Sequence, residues 1–298
     1  MVKKIFLTGG TGNMGLPVTK ALVSAGYHVI ALARTQESAA KLTALGTHPV
    51  IGELGDVEVV TKAASEADAA IHVGAVGGPE NVPTDKKVTE VIIRGLGGSG
   101  KKFVYTSGPY VYGNHGDEEL DEDTLLVQET SFPYGKNWRV SFEGEILALA
   151  AANKVDAVII RPTHVVTKST STGFLSWLAE LAEKTDSLLL PGDGENFIPF
   201  IHEEDVGSSY VAALEKAPAG IYNANSGSYK LKDFAEAARP LLGNKPIKYI
   251  TPEEAGTHMH KPVYAHGLTI SMKIVHTNKL EAATGWKPKH NTLQSLFQ

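Results

Sequence analysis

The chain has 298 residues, 42% of them hydrophobic, with a formal charge of −5 and an isoelectric point near 6.1. That length and apolar content can build one large or two modest cores, and the acidic balance offers no basic face to nucleic acid or anionic lipid, which points to a small-molecule ligand. The lack of cysteine excludes disulfides, thiolate catalysis and cysteine-bound zinc; with no charged leader, cleavage site or bilayer-length apolar run, a cytoplasmic location is the expectation.

Near the start, Ile5, Phe6 and Leu7 form an apolar run that breaks into glycines and resumes at helical spacing with Leu16, Val18, Ala21, Leu22 and Val23. This pattern predicts strand, turn and helix. In such a turn Gly9 allows the reversal, Gly12 lets backbone amides approach a ligand, and Gly15 lets the helix press on its strand. Amides at a helix N-terminus favour an anion, above all a pyrophosphate. The plainer alternative is a βα turn with no ligand.

A second strand is predicted over Tyr27–Ala33, with Arg34 at its C-terminal end. An acidic residue at that point accepts hydrogen bonds from ribose hydroxyls, whereas an arginine can hold a 2′-phosphate, so Arg34 favours NADP over NAD. A solvated surface arginine is the alternative. There follow a helix over 38–45, a short strand at Pro49–Ile51, a strand at Ala69–Val73, a polar loop over Gly74–Asp85, a helix over Lys86–Leu96 and a strand at Lys102–Thr106. Alternation of this kind predicts an α/β fold with a doubly wound parallel sheet.

Further on, an alanine-rich helix spans Glu143–Ala152 and a sixth strand Val155–Pro162. A Ser/Thr-rich loop at 167–172 precedes an amphipathic helix over Phe174–Glu183, and Phe197–Ile201 reads as a strand bordering the site. Glu204 and Asp205 open a helix as favourable N-terminal acids. Gly220–Ala224 is a seventh strand, 232–242 a helix and 245–250 an extended piece; Gly285 ends a last helix and Trp286 anchors the final segment. His258, His260, His266 and His276 lack metal-ligand spacing, so no metal site is expected. Neither a GxxxxGK[ST] loop nor a GxSxG elbow occurs.

Several of these segments resemble, in order, motifs of the extended short-chain dehydrogenase/reductases, the group containing sugar-nucleotide epimerases, dehydratases and carbonyl reductases. They are TGGTGNMG (8–15), GELGD (52–56), HVGA (72–75), YVYG (110–113), Arg161–Pro162, PGDGEN with HEEDV (191–196, 202–206) and GWKP (285–288). The resemblance implies a Rossmann-like domain over 1–165, with 197–225 returning to it, and a smaller C-terminal substrate lobe made of 166–196 and 226–298. It implies cofactor contacts from Gly9, Gly12, Asn13, Met14, Gly15 and Arg34. Glu53 and Leu54 fall beside the adenine; Val73, Gly74, Thr106, Arg139 and Pro162 fall towards the nicotinamide. The family often forms homodimers through the helices after strands four and five, the first of which reads as short here.

The family's chemistry uses a Ser or Thr to bind the substrate oxygen, a Tyr to pass a proton, and a Lys four residues after it that grips the ribose and lowers the Tyr pKa. Four residues after Tyr134 stands Trp138. Alignment on Glu143 instead puts Arg139 in the lysine slot and leaves Tyr134 one position early, in the loop before the helix. The serine slot falls on Gly108, with Ser107 just before it. Arginine is planar and longer than lysine, so the exchange is not neutral. The resemblance thus gives Ser107, Tyr134 and Arg139 as catalytic candidates, Lys136 as a further cation, and His164 as either a substrate contact or a supporting hydrogen bonder. Two readings stand: an NADP(H)-dependent oxidoreductase or epimerase-like enzyme acting by hydride transfer on a small carbonyl or alcohol substrate, and a non-catalytic NADP(H)-binding sensor or scaffold with a degenerate site.

Overall fold

The computed structural model describes residues 3–76, 78, 80–98, 100–126, 137–167, 169–258, 262–275 and 278–298. Its first half runs β1 (Lys4–Thr8), α1 (Gly15–Ser24), β2 (His28–Ala33), α2 (Gln36–Ala44), β3 (His48–Ile51), α3 (Val57–Glu66), β4 (Ala69–His72), α4 (Asn81–Leu96) and β5 (Lys102–Thr106). Then come β6 (Glu119–Leu120), α5 (Arg139–Ala152), β7 (Asp156–Pro162), β8 (His164–Val166), α6 (Leu175–Thr185), β9 (Leu188–Pro191), β10 (Phe197–His202), α7 (Glu203–Lys216) and β11 (Gly220–Ala224). The chain closes with β12 (Gly227–Lys230), α8 (Leu231–Ala238), β13 (Ile247–Ile250), α9 (Pro252–His258), α10 (Pro262–Thr269), β14 (Lys273–Ile274) and α11 (Asn278–Thr284).

Seven parallel strands form the main sheet in the order β3-β2-β1-β4-β5-β7-β11. Strand β1 is apolar at successive positions because both of its faces are covered: Ile5 and Leu7 enter one core and Phe6 the other. The strand order reverses at β1, whose neighbours β2 and β4 lead away in opposite directions. A crevice opens there at the strands' C-terminal ends, the place where ligands bind in such sheets. A smaller sheet, β12-β10-β8, and the pair β13-β9 enclose a third core around Phe174, Phe200 and Phe234. Phe197–His202 therefore pairs in the small sheet, and the chain returns to the large one at Gly220–Ala224.

Several boundaries differ from the sequence expectation. Helix α4 starts at Asn81 rather than Lys86 and is the longest among the described residues; Pro83 sits in its first turn, where a missing N–H costs nothing. Helix α3 was not anticipated. Asp56 of the GELGD segment caps it by accepting from the Val59 N–H at 3.1 Å. Pro240 ends α8 in a 3₁₀ turn over Arg239–Leu242. Helix α7 is capped by the His202 ring, which accepts from the Glu204 N–H. Asp205, expected as a helix-opening acid, is fully buried and accepts from the Lys289 and His290 amides and the Ser226 hydroxyl. Gly285 does end α11 at φ +78, and the Trp286 indole is buried and donates to Ser208 Oγ. No described helix is long and apolar enough to cross a membrane.

Candidate active site

Two cavities meet at the sheet's switch point. The larger, about 770 Å³, is bordered by the glycine turn, the end of β2 and the segment after β4. Gly9 has φ +73, and a Cβ there would stand 2.5 Å from Gly74 Cα; a Cβ on Gly15 would collide with the Gly9 carbonyl. Both positions therefore exclude any side chain. Gly12 differs: a Cβ there would come no closer than 3.4 Å to the Gly9 carbonyl oxygen, so its face of the turn is open. The N-cap residue of α1, Met14, makes no side-chain cap bond, so the turn leads into a helix end bordered by the cavity.

Arg34 lies at the far end of this cavity, next to the Thr35 and Ser38 hydroxyls that form the capping box of α2. Glu53 and Leu54 line the cavity, as do Val73 and Gly74 at the end of β4. Asn13 and Met14 line this cavity and the next, so the two are neighbours at the turn. Thr106, expected as a cofactor contact, borders neither cavity, and its hydroxyl is hydrogen-bonded at 2.6 Å to Tyr210 on α7.

The smaller cavity, about 350 Å³, brings together Ser107, Arg139, Pro162 and His164. Ser107 follows β5, and its backbone N–H still donates to Ile160 on β7. Its Oγ is buried and has no hydrogen-bond partner in the structure. Arg139 opens α5 and donates from Nη2 to Asp85 Oδ2 at 3.1 Å, while its Nε–H is buried and likewise unpartnered. Its guanidinium also lies over the Trp138 ring. Tyr134 and Lys136 lie outside the described residues.

Arg139 is aimed by two buried ion pairs. Four residues on, and so on the same face of α5, Glu143 accepts from both ends of the Arg161 guanidinium, which also donates to Tyr112. This buried fork locks α5 to β7 and fixes the direction in which Arg139 leaves the helix. At its tip Arg139 meets Asp85 on α4, which also accepts from the Tyr105 hydroxyl at 2.9 Å and lies 3.7 Å from His72 Nε2. Burial works to raise the Asp85 carboxyl, but His72, Arg139 and Tyr105 around it hold it below its ordinary value. His72 Nδ1 is bonded at 2.6 Å to Thr8 Oγ1, which accepts from the Gly74 N–H. A buried chain of contacts thus runs from the strand end beside the glycine turn to Arg139.

His164 is buried, with Nδ1 3.0 Å from the Pro199 carbonyl and Nε2 2.9 Å from the Tyr110 hydroxyl. The carbonyl only accepts, so Nδ1 carries the proton and Tyr110 donates to Nε2. Burial pushes the His164 pKa down to about 4, so the ring is neutral near pH 7. Asp85, Tyr110, Phe174 and Trp177 are parts of this site that the sequence reading left out. Asp85 had been placed in a loop, where its alignment with α4 is invisible, and Tyr110 served only to align YVYG.

A second group, His202, Glu204 and His290, has its polar atoms within 4.8 Å of one another. His202 Nδ1 accepts from the Glu204 amide, so in the neutral ring Nε2 bears the proton and is no ligand. His290 bonds the Glu204 carboxyl and holds it below its ordinary value. The cluster closes the start of α7 by hydrogen bonding.

The model of the NAD dependent epimerase/dehydratase family matches residues 5–224. An uncharacterized protein of Schizosaccharomyces pombe is 29% identical over 306 residues, covering 98% of this chain and 97% of that one. The sterol-4-alpha-carboxylate 3-dehydrogenase of Dictyostelium discoideum is 24% identical, over 72% of this chain and 68% of its own. Among solved structures, dTDP-glucose 4,6-dehydratase from Bacillus anthracis, in complex with NAD, superposes with a TM-score of 0.77 at 20% identity, covering 99% of this chain and 94% of that one.

Proposed function

The chain belongs to the NAD dependent epimerase/dehydratase family, and from that premise we propose that it is an NADP(H)-dependent oxidoreductase acting at a carbonyl or alcohol carbon of a small molecule. The observation that carries this reading is a pair of buried donors without partners, Ser107 Oγ–H and Arg139 Nε–H, on residues that line a cavity sharing Asn13 and Met14 with the one behind the glycine turn. An unsatisfied buried donor costs about 1–3 kcal/mol, and two in one cavity fit a site built to receive oxygen atoms.

The residues present fit a nicotinamide dinucleotide. The side-chain-free turn and the α1 N-terminus suit a diphosphate, and Arg34 with the Thr35 and Ser38 hydroxyls suits a 2′-phosphate. The NADP preference rests on Arg34; the dehydratase structure above holds NAD. When bound, the nicotinamide supplies or takes up the hydride. Arg139, steadied by Asp85, would bind the ribose. Ser107 would donate to the substrate oxygen as negative charge grows on it, and Tyr134, in the segment before α5, would supply the proton. On this reading residues 1–165 and 197–225 mainly serve the cofactor and 166–196 with 226–298 the substrate, while Phe197–His202 pairs in the small sheet and Tyr110 and His164 border the substrate cavity.

The test is NADPH binding and oxidation with a panel of aldehydes, ketones and quinones, for the natural chain, Arg34→Ala and Tyr134→Phe. Arg34→Ala is expected to weaken NADPH binding about tenfold or more while leaving NADH binding nearly unchanged. Equal loss for both cofactors would overturn the NADP assignment, and turnover indifferent to Tyr134→Phe would overturn its role as proton donor. Tight binding without turnover across the panel would favour the sensor reading.

A further inference from the structure

Apart from Ser107 Oγ and Arg139 Nε, the polar side chains of His164, Asn137 and Thr163 on the smaller cavity's wall are matched within the fold. His164 is neutral and bonded at both nitrogens. Asn137 accepts from the Arg139 amide and donates to the Tyr110 carbonyl; the single Thr163 hydroxyl proton is shared between Ala224 O at 3.4 Å and Asn225 Oδ1 at 3.3 Å. Arg139 is the one side-chain cation among the described lining residues, and its charge is opposed by buried Asp85. What such a wall offers a substrate is the ring surface of Tyr110 and Trp177, which are half-buried, with the buried rings of His164 and Phe174 packed behind them. Phe174 and Trp177 pack at 4.8 Å, His164 stands edge-on to both at 5.1 and 5.7 Å, and Tyr110 meets His164 edge-on at 5.3 Å. Aromatic edges and faces set in this way favour another flat ring.

Resting on the redox reading above, we infer that the substrate is an uncharged aromatic or conjugated carbonyl compound of one or two rings, its oxygen within reach of Ser107 and its ring held against Tyr110 and Trp177, which His164 and Phe174 support from behind. A volume of about 350 Å³ lies at the small end of ligand sites, which run from about 300 to 1,000 Å³. A sugar nucleotide needs cations opposite its diphosphate, and the described wall has no unopposed cation. Among the described wall residues a ring carboxylate would meet only Arg139, whose charge Asp85 already opposes.

The probes are 2-acetylnaphthalene, its 6-carboxylate, butanal and UDP-glucose. Each is offered to the full chain with NADPH for turnover and, separately, to the chain saturated with NADP⁺ for calorimetric binding. Acetylnaphthalene is expected to bind at least about tenfold more tightly than its carboxylate, with no detectable binding of UDP-glucose. In Trp177→Ala the ratio of the acetylnaphthalene constant to that of butanal should rise about tenfold, and Trp177→Phe, which keeps a ring, should restore it. Tighter binding of the carboxylate or of UDP-glucose would overturn the inference, as would an unchanged ratio or failure of acetylnaphthalene to bind. Acetylnaphthalene binding with no turnover of any probe would leave the substrate class standing as a ligand class and count against the catalytic reading alone.

Discussion

Ser107→Ala removes a buried hydroxyl that has nothing to bond to within the fold. If the hydroxyl is kept for a reacting oxygen, its loss should lower kcat by roughly 10²–10³-fold, while the melting temperature stays the same or rises, since an unmet buried donor is itself unfavourable. Lowered stability with unchanged turnover would make Ser107 a structural residue. His164 gives a pH signature of opposite origin. Its pKa falls from 6.5 to about 4 on burial, so between those values the unfolded chain takes up a proton that the folded one refuses. Stability contributed by neutral His164 is full above the unfolded pKa and declines as pH drops through this window, by up to roughly 3 kcal/mol. Urea unfolding at pH 7 and pH 5 should show the decline in the natural chain and a shallower one in His164→Gln.

At the scale of elements, the site depends on α4 and α5 meeting through Asp85 and Arg139, and on α1 and α7 packing closely enough to hold the glycine turn. A double-mutant cycle on NADPH affinity separates positioning from general support. Asp85→Asn and Arg139→Ala are each expected to weaken binding about tenfold, and the double variant hardly further, because Asp85 acts through Arg139. Losses that multiply would show that Asp85 serves the fold alone. Behind the turn, a Cβ on Gly207 of α7 would stand 2.6 Å from the Pro17 carbonyl and 2.8 Å from Ala21 Cβ on α1. Gly207→Ala should therefore cost about 1–3 kcal/mol by wedging the two helices apart, read as a lower denaturation midpoint with an unchanged slope.

Across the whole molecule, the C-terminal segment is tied to the sheet through one carboxylate. Asp205 lies in the first turn of α7, as expected, but is buried there; it gathers the amides of Lys289 and His290 and the hydroxyl of Ser226, and Trp286 is part of the main core. Asp205→Ala leaves those donors buried without an acceptor and should lower stability by about 3–5 kcal/mol, with protease cleavage appearing first near the C-terminus. Stability within about 1 kcal/mol of the natural chain would mean that other contacts hold the segment.

The sequence by itself determined the alternating strands and helices, the glycine turn and Arg34 at the end of the second strand, because these depend on local periodicity and on backbone positions that admit no side chain. Ser107 and Arg139 came together as one site only through the family resemblance, by alignment on YVYG and Glu143. The sequence could not reveal that Thr106 turns to Tyr210, that Asp85 reaches Arg139 across 54 residues, or that Asp205 receives the C-terminal amides. Those contacts have no period and no fixed spacing; they exist only once strands distant in the chain lie side by side. Polar side chains carry the same letters whether they are paired or not, and only the tertiary structure decided that Ser107 Oγ and Arg139 Nε are left without a partner.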